Sequence, residues 1–206
     1  MFTTPRLIAI ALCAALNFAV GAIVYLVKLP IYMDSVGTIL CAMLIFPDRW
    51  AAFVCALVAG IIGIAVVGLL VNPFLPWFAL TVAAIALVSA FVTASGDDVF
   101  RARPPQWFAF VARVVIFGIL TGIVAAIVSA PVVAYLFGGV TGSGSALVVA
   151  YFMKSGSVLW DATLRSGLII EPLDKTLQVL LAALLYRATP REFIAMMRPA
   201  ERPPAT

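Results

Sequence analysis

Oppositely charged residues recur four positions apart near the end of this chain, in an otherwise apolar segment. Glu171 precedes Lys175 and Asp161 precedes Arg165, so on a helix each pair can meet on one face. Ion pairing explains this spacing without any ligand. A site for a polar small molecule also explains it, because charges within an apolar segment need a partner or a polar cavity. Pro172 favours a site, since a proline inside a helix leaves one carbonyl without its N–H partner.

A segment rich in glycine and hydroxyls, residues 138–145, lies before these charges. Glycine lets backbone N–H groups approach a ligand closely, and Thr141, Ser143 and Ser145 can donate or accept hydrogen bonds. No Lys-Ser/Thr pair follows the glycines at the spacing of a phosphate-binding P-loop. The segment is therefore either a flexible loop or a cover that packs over a small ligand.

The residue types argue against an enzyme and against a metal centre. The chain has no His, the commonest general base and metal ligand. Cys13, Cys41 and Cys55 lie in apolar runs at no metal-like spacing, so we expect them to be buried as small hydrophobic residues. The sequence contains no nucleophile elbow, no paired-carboxylate loop and no ATP-binding motif. We expect no catalysis, no cofactor and no metal.

Membrane-spanning helices must position these residues. Hydrophobic residues make up 65% of the chain and charged residues 11%, with a mean hydropathy of +1.18. A soluble domain averages about 25% charged residues, so this chain has too few charges to cover a surface in water. A spanning helix needs about 20 apolar residues, and the length accommodates six such helices with short loops. The net charge of +4 is attributed to membrane orientation, and no basic face is large enough to bind nucleic acid.

We predict an all-α integral membrane protein in which residues 1–187 form one six-helix domain and residues 188–206 a basic, Pro-rich cytoplasmic tail. The six predicted transmembrane helices cover about 7–27, 31 or 34–46, 50–71, 75–94, 108–137 and 161–186. The second is short, which suggests a helix enclosed by the others. Ala146–Lys154 is apolar but too short to span, and is predicted to be an interfacial or re-entrant helix between spans five and six.

The distribution of Arg and Lys orients these helices. With the N-terminus inside, the outer loops carry Lys28 and Lys154, whereas the inner side carries nine arginines, and cytoplasmic loops are the ones enriched in Arg and Lys. The nine are Arg6, Arg49, Arg101, Arg103, Arg113, Arg187, Arg191, Arg198 and Arg202. Both termini are therefore predicted to be cytoplasmic. Glu171 lies roughly 24 Å from Arg187 along a helix, in the outer half of the membrane.

Several features of the chain resemble a known family. Ala11, Ala15 and Ala19 repeat every fourth residue, and small residues at this spacing let another helix approach closely. Three stretches look like segments of the family: Tyr32–Thr38, Phe137–Ser145 and Glu171–Lys175. With six short-looped spans, both termini inside and a length of 206 residues, the chain resembles the substrate-binding S component of energy-coupling factor (ECF) vitamin transporters. The resemblance covers the first span through the sixth.

The resemblance implies a protein of the bacterial cytoplasmic membrane that binds a vitamin or related micronutrient near its outer face. It also implies that Ala11, Ala15 and Ala19 dock on a transmembrane coupling subunit, which acts with two ATPases. The candidates for ligand contact are Asp34, Thr38, Asn72, Thr141, Ser143, Lys154, Trp160, Arg165, Glu171 and Lys175. Their mixture of acids and bases favours a zwitterionic or anionic ligand.

Two other functions stay open from the sequence. One is a membrane sensor, for which the lack of an output domain after the sixth span is unfavourable. The other is an assembly protein whose polar residues are merely paired with one another. A neighbouring coupling-subunit gene would favour transport, and a neighbouring kinase gene would favour sensing.

Overall fold

The computed structural model describes residues 2–92, residue 100 and residues 107–198, and the regular elements within them are all helical. The α-helices are α1 (Thr4–Val27), α2 (Val36–Ile45), α3 (Arg49–Leu70), α4 (Ala79–Val92), α5 (Trp107–Pro131), α6 (Ser145–Lys154), α7 (Leu159–Ala188) and α8 (Arg191–Met197). A 3₁₀ turn, Leu75–Phe78, leads into α4, and a π turn, Val132–Leu136, continues α5. The all-helical prediction is confirmed. Of the arginines used for orientation, Arg101, Arg103 and Arg202 lie outside the described residues.

Four helical segments are long and apolar enough to cross a membrane. They are Thr4–Val27, Arg49–Leu70, Leu75–Val92 and Trp107–Leu136. Their outward faces carry large apolar side chains, and the extreme cases are Leu69, 85% exposed, and Phe108, 84% exposed. Soluble proteins rarely expose apolar surface of this extent. The structure is therefore consistent with a multi-pass membrane protein.

Helix α2 occupies the centre of the bundle. It has 10 residues, all of them buried, and it packs against α1, α3, α4 and α7. The enclosed position matches the expectation for the second predicted span. The helix begins at Val36, later than the predicted start at residue 31 or 34, because residues 32–35 form a non-helical segment. The 10 residues measure about 15 Å, half the thickness of a hydrocarbon core.

Helix α7 is polar on its inward face and apolar on its outward face. Asp174 and Gln178 are fully buried, whereas Ile169 and Leu173 are 60% and 61% exposed. This arrangement is the reverse of an amphipathic helix on a soluble protein. The helix continues through Pro172 without a break.

Helices α5 and α7 make the largest helix-to-helix contact in the described chain. Two glycines of α5 allow the close approach. A Cβ at Gly118 would overlap Thr176, and a Cβ at Gly122 would overlap the backbone of Pro172. Small residues four apart are a common device for bringing two membrane helices together. The inward face of α7 is thereby held at a fixed position in the bundle.

Two groups of contacts define the two ends of the bundle. At the Arg6 end, Arg6 Nε donates to the carbonyl of Met197 (2.9 Å), and Arg6 Nη1 lies 3.6 Å from Asp48 Oδ2. At the Asn72 end, Asn72 Nδ2 donates to the carbonyl of Thr141 (3.0 Å). The beginning of α1 and the end of α8 therefore lie at the same end of the bundle.

Candidate functional site

The segment between α1 and α2 folds into the bundle and is held there by α7. Asp174 Oδ1 accepts hydrogen bonds from the backbone N–H groups of Tyr32 and Met33, both at 3.0 Å. Gln178 Oε1 accepts from the backbone N–H of Ser35, also at 3.0 Å. Non-helical backbone among apolar helices needs such partners, because a buried N–H without an acceptor is costly. We call residues 28–35 the α1–α2 loop.

Asn17 of α1 provides the acceptor for the first turn of α2. Its Oδ1 accepts from the backbone N–H groups of Gly37 (2.6 Å) and Thr38 (3.4 Å), and its Nδ2 donates to Thr38 Oγ1 (3.0 Å). The first N–H groups of a helix have no acceptor within that helix. Ser35, at the position where a local cap is usual, makes no capping hydrogen bond. An amide from a neighbouring helix takes its place.

Four charged side chains meet beneath the α1–α2 loop. Lys175 Nζ lies 2.6 Å from Asp174 Oδ2, 3.3 Å from Glu171 Oε2 and 3.7 Å from Asp34 Oδ1. Lys175, Asp174 and Glu171 are buried, and Asp34 is partly buried. We call these four residues the acidic cluster, since three carboxylates and one ammonium give a formal net charge of −2. The described residues contain no group of three or more His, Cys, Asp or Glu placed to hold a metal ion.

A small cavity lies between the acidic cluster and α4. Its walls include Tyr25, Tyr32, Phe78, Thr81, Glu171 and Lys175. The space that water centres can occupy is about 30 Å³, enough for about two water molecules. The cavity is thus a polar pocket with aromatic walls, and in this conformation it is small.

Two residues that line this cavity each have a buried oxygen without a hydrogen-bond partner among the described residues. The two oxygens are Glu171 Oε2 and Thr81 Oγ1. Lys175 Nζ lies near Glu171 Oε2, yet not in hydrogen-bonding geometry. Glu171 is 5% exposed and Thr81 6% exposed, so neither reaches the outer surface appreciably. Buried polar groups are almost always satisfied by protein or by water, so these two oxygens need a water or a ligand as a partner.

The glycine-rich segment forms a second polar group at the Asn72 end. Thr141 Oγ1 lies 2.9 Å from Ser143 Oγ, which lies 2.6 Å from Ser145 Oγ. Gly144 packs so tightly on the α1–α2 loop that a Cβ there would overlap the backbone of Lys28 and Leu29. The hydroxyls bond to one another, and the segment covers the α1–α2 loop.

The structure brings together part of the predicted ligand set. Asp34, Glu171 and Lys175 meet at the cavity. Asn72 and Thr141 meet in the second polar group, which Ser143 also joins. These six residues belong to the end of the bundle where the α1–α2 loop and the glycine-rich segment meet. A seventh, Thr38, is bonded to Asn17 and does not line the cavity.

Three other predicted residues lie apart from the cavity. Lys154 is exposed at the end of α6. Trp160 is 40% exposed and stacks on Tyr135, with ring centroids 5.8 Å apart. The Arg165 side chain is 57% exposed and pairs with Asp161 at 2.9 Å. A role of these three in ligand contact stays a prediction.

The sequence reasoning left out several residues that form the site. Asn17 and Gln178 were not selected, although an amide inside an apolar helix is itself a signal. Asp174 is not among the predicted contacts, yet it is the nearest carboxylate to Lys175. Tyr25 and Thr81 also line the cavity. Their spacing in the sequence gives no indication of this position.

The face predicted to dock on a partner is open. Ala11, Ala15 and Ala19 are exposed along α1.

A comparison with protein-family models, with curated proteins and with solved structures found no match to this chain. A function must therefore be argued from the acidic cluster, the cavity and the fold.

Proposed function

We propose that the protein is the substrate-binding component of an ECF-type importer. It captures a small water-soluble vitamin or related micronutrient at the outer side of the bacterial cytoplasmic membrane and delivers it for ATP-driven uptake. The observation that carries this proposal is the cavity beside the acidic cluster, inside an otherwise apolar bundle, where Glu171 and Thr81 each have a buried oxygen without a hydrogen-bond partner among the described residues. Buried charges among membrane helices are costly, and they commonly mark a substrate pathway or site.

The proposed topology has six spans, with both termini in the cytoplasm. Helices α2 and α7 are the second and sixth spans, α6 is interfacial or re-entrant, and the Asn72 end faces outward. The outward apolar face of α7 and the common location of both described chain ends support this topology.

Cysteine labelling of intact cells tests the topology. The native cysteines are at most 2% exposed, so their background reaction is low. We expect Ser155→Cys to react with an impermeant thiol reagent from outside, and Arg191→Cys to react only after the cells are permeabilised. The opposite pattern would reverse the orientation and remove an outer ligand site.

Entry of the ligand requires the site to open. Small-molecule pockets usually measure about 300–1,000 Å³, far more than the space beside the acidic cluster. The α1–α2 loop is the segment that closes the cavity from the Asn72 end, because Tyr32, Asp34 and Ser35 form part of its wall. In the proposed cycle this loop moves away from α7 to admit the ligand and then closes over it.

The docking proposal concerns the exposed alanines of α1. Ala11, Ala15 and Ala19 form the surface for the transmembrane coupling subunit, which acts with two ATPases. Ala15→Leu is expected to reduce co-purification of the coupling subunit and to leave ligand binding intact. Ala109→Leu, at an exposed alanine of α5, is the matched control. Equal co-purification of both variants would place the docking surface elsewhere.

Native mass spectrometry of the gently purified protein is the direct test of the binding function. Release from detergent should yield the chain with one bound small molecule, whose fragmentation identifies it. An empty protein that no vitamin in a panel stabilises against heat would contradict the proposal.

The alternative function is a multi-span sensor or an assembly protein without transport activity. One observation favours it: Asp174 makes four hydrogen bonds, to Tyr32, Met33, Lys175 and Gln178, so this part of the polar interior is satisfied without a ligand. An empty protein in the mass spectrometer would support this alternative.

A further inference from the structure

The acidic cluster has more negative than positive charge around its cavity. Lys175 is the cation that the ion pairs of the described residues bring to Asp34, Glu171 and Asp174. Its shortest contact, at 2.6 Å, is with Asp174, which faces the α1–α2 loop. Glu171 and Asp34 are further away and line the cavity. The carboxylates that face the cavity are thus only partly neutralised.

The two oxygens without a hydrogen-bond partner can accept hydrogen bonds from N–H donors. Glu171 Oε2 is an acceptor when the carboxyl is ionised, and Thr81 Oγ1 has two lone pairs besides its hydrogen. The two residues approach the cavity from different helices, Glu171 from α7 and Thr81 from α4. A ligand group with two or more N–H donors would therefore find a hydrogen-bond acceptor on each of two helices that line the cavity.

The aromatic walls are also suited to a cation. Tyr25, Tyr32 and Phe78 line the cavity, and the faces of such rings attract positive charge. Lys175 Nζ already lies 5.6 Å from the centroid of the Tyr32 ring. This contact shows that an ammonium can be placed against one of these rings within the cluster.

We infer that the cavity takes the positively charged nitrogen group of its ligand, a protonated amine or an amidine-like N–H donor. The inference rests on the proposed binding function and narrows its ligand class. An anionic group would have to lie against Glu171 and Asp34, with Lys175 already paired to Asp174. The sequence favours a zwitterionic or anionic ligand, whereas the positions of the charged side chains in the structure favour a ligand with a cationic group.

The test compares three probes of similar shape and different charge. Benzylamine is a cation at neutral pH, benzyl alcohol is neutral, and benzoate is an anion. Each is titrated at millimolar concentration into the purified full-length chain, and binding is followed by calorimetry and by thermal unfolding. We expect benzylamine to bind at least about tenfold more tightly than benzyl alcohol, the effect of one charge-assisted hydrogen bond, and benzoate not to compete.

Two variants assign any preference to the cavity. Glu171→Gln should reduce the preference for benzylamine by about tenfold, whereas Asp161→Asn, in the exposed pair of the same helix, should leave it unchanged. Thr81→Val should weaken binding of benzylamine and raise the melting temperature, because it removes a buried hydroxyl without a partner. A merely structural role of Thr81 would not combine these two effects.

Each outcome is decisive. Tighter binding of benzoate or benzyl alcohol would overturn the inference and leave the proposed binding function standing. A benzylamine preference that survives Glu171→Gln would overturn it as well. If no probe binds, the inference fails. Native mass spectrometry then shows whether the proposed binding function also fails. A bound compound without a cationic group would preserve the binding function, whereas an empty protein would contradict both the inference and the binding function.

Discussion

Removal of the Asp174 carboxylate should release the α1–α2 loop from α7. In Asp174→Ala, the backbone N–H groups of Tyr32 and Met33 lose their acceptor, and Lys175 loses its nearest anion. The side chain is fully buried, so water does not replace these bonds without a rearrangement. We therefore expect a large loss of stability from one substitution.

The magnitude follows from the contacts. A buried donor without a partner costs about 1–3 kcal/mol, and three lose their acceptor: the N–H groups of Tyr32 and Met33 and the Gln178 side-chain amide. Breaking a buried ion pair costs about 3–5 kcal/mol, and the lower end applies because Lys175 keeps Glu171 and Asp34 nearby. Since neighbouring losses are not additive, we expect about 5 kcal/mol for Asp174→Ala. Asp174→Asn keeps an oxygen for the loop and should cost about 3 kcal/mol.

The assay is reversible unfolding in mixed micelles, in which the fraction unfolded is followed against the proportion of denaturing detergent. Asp161→Ala is the matched control, because it breaks the exposed ion pair with Arg165 on the same helix. Exposed pairs contribute about 0–1 kcal/mol, so this control should unfold almost like the parent. If Asp174→Ala is no less stable than Asp161→Ala, the carboxylate does not hold the loop and the reasoning is refuted.

Two further predictions concern contacts elsewhere in the bundle. Asn17→Ala removes the acceptor of Gly37 N–H and Thr38 N–H and should cost about 2–4 kcal/mol in the same unfolding assay; a cost below that of an exposed substitution would contradict the capping role. Gly122→Ala should separate α5 from α7 and lower the melting temperature clearly, whereas Gly167→Ala, whose Cβ would lie 3.2 Å from Ala126, should be milder. Equal effects of the two would show that the tight contact at Gly122 relaxes easily.

The helical architecture was predictable because long apolar runs in this chain have no other stable form in a bilayer. The helices α1, α3 and α5 begin within three residues of their predicted starts. The start of α2 was not predictable, because residues 32–35 contain neither the glycine nor the proline that would exclude a helix there. Only α7, which lies 142 residues from Tyr32, supplies the acceptors that stabilise the non-helical form.

Of the contacts in the site, only those between residues close together in the sequence were predictable. The i,i+4 rule identified the Glu171–Lys175 and Asp161–Arg165 pairs, and both ion pairs form. The same rule gives no reason to pair Asp174 with Lys175, since adjacent residues do not face each other on a helix. The flexible lysine stem overrides it, and Nζ reaches Asp174 at 2.6 Å. The inclusion of Asp34 depends on how the α1–α2 loop folds, which no local pattern encodes.

The hydrogen bonds between the α1–α2 loop and α7 also bear on how the protein is made. Tyr32 and Asp174 are 142 residues apart, and a ribosome that adds about 5–20 residues per second needs roughly 7–28 s between them. During that interval the loop N–H groups have no acceptor from α7, so the loop and the start of α2 must stay in contact with water or with the insertion machinery. The contacts between this segment and α7 can therefore form only after α7 has been synthesised, although the segment itself is made much earlier.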